Sequence, residues 1–107
     1  MNGHARNDYY SLLLHREAAA ALASDADLLL QARHIVTEWK RRNTSAPRDW
    51  DEWLRLIDQG VEATTHAMTA ENERSSRLRQ SSPFSALVPA RRRWALLKEA
   101  GRESHAA

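Results

Sequence analysis

The 107-residue sequence predicts an all-α protein, one compact helical bundle of about five to six helices with long helices in the first half and shorter ones in the second. Three observations predict it. Ala supplies 18 residues and Leu 13, while Val and Ile together supply five, a balance that favours helix over strand. Three Gly and three Pro leave few places for turns. Apolar residues recur at i, i+3 and i+4 in one segment after another. The length suits a single domain over residues 1–107, with residues 1–7 and 102–107 expected to be flexible.

Asn7 or Asp8 is placed to cap a first helix running to Ala23, with Tyr10, Leu13, Leu14, Ala18, Ala21 and Leu22 as its apolar stripe. Ser24 followed by Asp27 has capping-box spacing and predicts a second helix over 25–42, with Leu28, Ala32, Ile35, Val36 and Trp39 on one face. Lys40, Arg41 and Arg42 suit the C-terminal end of that helix, where the dipole favours cations. Pro47 punctuates a loop, and Asp49 with Glu52 reads as a second capping box.

The third helix carries the strongest periodic signal in the chain: Trp50, Trp53, Leu54 and Ile57, widened by Leu56. Both indoles are expected in the core, and Gly60 is expected to stop the helix in the left-handed region. A short helix over 61–68 should turn Val61, Thr65 and Met68 inward. Thr69 would cap a polar helix over 70–80, where only Ala70 and Leu78 are apolar. Ser82 and Pro83 form a good helix start, cap then first turn, and Phe84, Leu87 and Val88 give that turn one apolar face. Pro89 ends it and opens a last helix with Ala90, Trp94, Leu97 and Gly101 inward.

Several chemistries find no support. The chain has no Cys, so disulfides and thiolate metal sites are excluded. The His residues at 4, 15, 34, 66 and 105 form no His-x-x-x-His pair, and no Gly-rich phosphate loop exists, so neither metal nor cofactor is expected. No Ser, His and Asp set stands out, and the chain is not expected to be an enzyme. The opening Met-Asn-Gly-His-Ala-Arg does not read as a signal peptide, and the apolar runs fall far short of the ~20 residues a membrane helix needs. A bacterial, cytoplasmic protein with no membrane role is the simplest expectation.

Charge distribution is more telling than the net charge of +2. Seven basic residues and no acid lie between Arg74 and Lys98, a segment suited to an acidic protein surface or a phosphate backbone. Arg91, Arg92 and Arg93 sit where a helix dipole disfavours cations, a broken local rule that marks a place to look for function. The candidate partner-binding residues are Arg77, Arg79, Gln80, Ser81, Ser82, Phe84, Arg91, Arg92 and Arg93. Arg would grip carboxylates bidentately while Phe84 fills a pocket.

The pattern Leu78-Arg79-Gln80-Ser81-Ser82-Pro83-Phe84, then Leu87, then Arg93-Trp94 before an apolar helix, resembles the C-terminal part of short bacterial all-helical proteins. Those proteins in turn resemble type II antitoxins, small partners of nucleotidyltransferase-like toxins. The similarity also touches Leu14-His15-Arg16-Glu17 and the stretch from Trp50 to Ile57. It departs at Val88, Ala90 and Arg91, where the resembling proteins carry a Ser or Thr cap and acids. The resemblance implies an antitoxin-like module, in a toxin-antitoxin system, that binds and neutralises or assembles with an acidic protein. Two alternatives stay open: a small nucleic-acid-binding helical protein, for which no helix presents base-reading side chains together, and a structural homo-oligomeric bundle whose basic segment is only solvated.

Overall fold

In the computed structural model, which describes residues 3–43, 45 and 47–106 and the side chains of 7–43, 45 and 47–102, every regular element is helical. Six α-helices are described: α1 (Gly3–Ser24), α2 (Asp27–Arg42), α3 (Arg48–Gln59), α4 (Val61–Thr69), α5 (Glu73–Arg79) and α6 (Ala90–Ala106). A 3-10 turn, Phe84–Leu87, separates α5 from α6. Long helices come first, as composition and periodicity predict.

The centre is α1. Leu12, Leu13, Leu14 and His15 are all buried, and at about 100° per residue four consecutive positions face almost every direction. Such a helix must be covered all round. The cover comes from α2, α4, α5, the 3-10 turn and α6, all of which pack on α1. The first three helices therefore do not form a bundle of their own: α1 packs most closely on α4 and α6, and α3 on α4 and α2. The core joins Leu13, Leu14, Ala18 and Leu22 to Trp53, Ile57, Met68, Leu78, Phe84, Leu96 and Ala100.

Helix boundaries follow backbone hydrogen bonding more than the capping motifs. Ser24 donates back to Ala20 O instead of capping α2, and the Asp27 N–H donates to Asp25 Oδ1 at 3.1 Å. No side chain caps α3, because Asp49 and Glu52 face the Arg residues of α5. The Thr69 hydroxyl donates to Thr65 O, leaving Asn72 to cap α5 by accepting the Ser75 N–H at 2.8 Å. The helix predicted over 70–80 thus starts later, and its inward face is Ser75, Leu78 and Arg79. At the chain ends, helical backbone already runs from Gly3 and continues past Gly101 to Ala106, while residues 1, 2 and 107 lie outside the described residues.

Gly60 alone separates α3 from α4, with φ 114° and ψ −178°. This is a positive-φ extended conformation rather than the expected left-handed helical one, and it belongs almost solely to Gly. The corner is closed by buried Thr64, whose hydroxyl donates to Leu56 O at 3.0 Å and Gly60 O at 2.8 Å. A Cβ at Gly60 would meet nothing within 4 Å, so the constraint is the backbone angle alone. Gly60→Ala is expected to lower unfolding free energy by about 1–3 kcal/mol with the denaturant m-value unchanged, checked by urea denaturation.

Candidate interaction surface

The fold distributes the acid-free basic segment instead of presenting it whole. Arg74 Nε lies 2.6 Å from Glu52, and Arg77 bridges Asp49 at 3.1 Å and Glu52 at 2.8 Å. Ser81 donates to Asp49 Oδ2 at 3.2 Å. Arg79 is only 8% exposed, and its Nη1 donates to Met68 O and Ala70 O at the C-terminal end of α4. Arg92 Nε donates to Glu17 of α1 at 2.9 Å. Gln80 and Arg91 are exposed and Arg93 half-buried; no ion pair is made by Arg91 or Arg93 among the described residues.

Phe84 requires a correction. An exposed ring ready to fill a partner's pocket was expected; the ring is 0% exposed. It sits edge-on to Trp53 at a centroid distance of 5.2 Å, and the Trp53 indole N–H donates to Leu78 O at 2.9 Å. The i, i+3, i+4 face of residues 84–88 is directed into the molecule's own core. Ser82 and Arg79 are likewise buried, so with Phe84 they leave the candidate surface.

Ser82 belongs to a contact between residues 67 apart in sequence. His15 Nδ1 lies 2.7 Å from Ser11 O, which can only accept, so Nδ1 carries the proton. His15 Nε2 is then bare and accepts the Ser82 hydroxyl at 2.7 Å, while Ser82 Oγ accepts the Phe84 N–H at 2.9 Å. Every polar atom of the pair is used, and the relay tethers the turn to α1. Sequence spacing gave no sign of it, because the partners come from opposite ends of the chain.

The surface that remains is the outward face of α6. The sequence placed Ala90, Trp94, Leu97 and Gly101 inward, whereas the helix buries Leu96 and Ala100 and leaves Trp94 60% exposed. Two apolar stripes compete on this helix, and α1, with Ala18 and Leu22 in the core, is met by the slimmer one. Arg91, Trp94, Ala95, Lys98 and Arg102 are all exposed and lie within about 100° of the helix circumference. Lys98 Nζ stands 5.5 Å from the Trp94 ring centroid, a cation–π contact. No acid interrupts this stripe, and among the described residues none of its three cations makes an ion pair. It keeps Arg91 of the predicted set and adds Trp94, Lys98 and Arg102, which were missed because the indole was assigned to the core.

No family model, curated protein or solved structure matches this chain. No described helix is long and apolar enough to cross a membrane, and no group of three or more His, Asp or Glu among the described residues is placed to hold a metal ion.

Burial pulls the His15 pKa from 6.5 down to about 4, opposed by the bond to Ser11 and assisted by the Arg79 charge. The folded state therefore resists protonation that the unfolded chain accepts. This contribution to stability is complete above pH 6.5, falls as pH drops through the window to 4, and amounts to about 3 kcal/mol lost in all. Unfolding free energy should fall between pH 6.5 and 5, and His15→Gln should flatten that slope, as read from urea melts at a series of pH values.

Proposed function

We propose that this chain is a non-enzymatic interaction module that assembles with the acidic surface of a protein partner, using the outward face of α6. The observation that carries this reading is the exposed Trp94 set among Arg91, Lys98 and Arg102, with no acid on the stripe. Exposed ion pairs contribute roughly 0–1 kcal/mol each. Burying the open part of an indole, roughly 150 Å² at about 25 cal/mol per Å², contributes on the order of 4 kcal/mol before association costs. Trp94 is therefore the anchor, and the cations select a negative partner and speed encounter.

The similarity of residues 78–94 to type II antitoxins supports a more specific form of the proposal. The partner is then a toxin of nucleotidyltransferase type encoded beside this chain, bound and neutralised in a bacterial cytoplasm. Arg77 and Arg92, matched by the chain's own carboxylates, contribute less in this reading than unpaired Arg91.

Co-expression of the tagged chain with the product of its neighbouring reading frame is expected to yield a stable complex. Trp94→Ala should weaken it at least tenfold, and Arg91→Glu with Lys98→Glu should do the same while leaving the melting temperature unchanged. The reading fails if the tagged chain purifies alone or if these variants bind as the parent does. Tight, steeply salt-dependent binding to duplex DNA without a protein partner would replace it with a nucleic-acid function.

A further inference from the structure

A second site lies away from α6, where the start of α1 faces α5. It is a depression of about 510 Å³ whose lining includes Asp8, Tyr9, Leu12, Glu71, Glu73 and Arg79. The depression is shallow and largely open to solvent. Arg79 is the unusual member. Its guanidinium is fixed, because Nη1 donates to Met68 O at 3.0 Å and to Ala70 O at 2.9 Å. Its Nε and Nη2 bond nothing among the described residues. No buried side-chain nitrogen or oxygen lacks a partner among those residues, so neither donor is fully sealed from solvent, and Arg79 is one of the residues that line the depression.

Nε and Nη2 form one edge of the guanidinium, the fork that matches a carboxylate with two parallel hydrogen bonds. Among the described residues no carboxylate occupies it; Asp8 and Glu71 act on Arg79 through their charge. A largely buried cation without a direct counter-ion is costly, and an incoming carboxylate would relieve that cost. The walls exclude a simple anion, however. Asp8 and Glu73 make no ion pair among the described residues, and Glu71 is 3.8 Å from Arg16. An oxyanion such as phosphate would meet these acids with repulsion, whereas a ligand carrying both charges satisfies both walls. Tyr9 and Leu12 add apolar atoms to the lining.

We propose that this depression binds a free α-amino acid with an apolar side chain. Its carboxylate takes the open edge of Arg79, its ammonium group sits between Asp8 and Glu73, and its side chain lies on Tyr9 and Leu12. The inference is independent of the α6 surface.

Isothermal titration of the full chain with L-leucine, L-leucinamide and N-acetyl-L-leucine tests it. Leucine should bind saturably with a dissociation constant at or below about 10 mM, and each capped form, lacking one charge, should bind at least tenfold more weakly. Asp8→Asn combined with Glu73→Gln should abolish binding while the helical circular dichroism signal at 25 °C is retained, since neither residue belongs to the core. Arg79→Lys keeps the charge and loses the fork, and should weaken leucine while leaving leucinamide unaffected. Absence of saturable leucine binding overturns the proposal, as does leucinamide binding as tightly as leucine.

Discussion

Everything in this fold answers to the enclosure of α1 around residues 12–15. Four consecutive buried positions cannot be satisfied by a partner on one side, and one of them is a histidine whose two ring nitrogens need partners in the interior. Ser11 O and the Ser82 hydroxyl supply those partners. That bond fixes where the turn after α5 lies, and the turn delivers Phe84 against Trp53. An unpaired imidazole nitrogen at this depth would cost about 1–3 kcal/mol, comparable to the loss of a sizeable apolar contact. The polar relay and the aromatic plug are therefore one structural unit.

Enclosure also explains where the charge goes. Seven cations in one acid-free segment would repel each other if they stayed together, and the fold separates them. Arg74 and Arg77 reach the acids at the start of α3, Arg92 reaches α1, and Arg79 neutralises the carbonyl end of α4. Each exposed pair is weak. Their combined effect is to use up charge that the sequence alone offers to a partner; of the seven, Arg91, Arg93 and Lys98 make no ion pair among the described residues, and Arg91 and Lys98 lie with Arg102 on the face of an open indole.

Much of the architecture was legible in the sequence, and what was not has physical causes. The helical class, the third-helix stripe with Trp53 and Ile57, the stop at Gly60 and the basic end of α2 all rest on local rules, and they hold locally. Capping motifs misled wherever the cap residue took another partner: Asp49 and Glu52 went to Arg77 across the fold, and Ser24 bonded within its own helix. The two aromatic assignments reversed, Phe84 inward and Trp94 outward, because a periodic pattern reports that a helix has an apolar face without saying which neighbour covers it. Trp94 also differs from Trp39 and Trp50, half-buried rings that cover each other at 5.4 Å. The tether between His15 and Ser82, and the open edge of Arg79, depend on tertiary placement and left no trace in local spacing.

The order in which α1 acquires its cover bears on synthesis. The leucines beside His15 leave the ribosome early, yet the turn that seals them lies 67 residues later and α6 later still. At ~5–20 residues per second, that apolar belt waits for about 3–13 seconds without its final neighbours. A translational pause before residue 82 would lengthen that exposure.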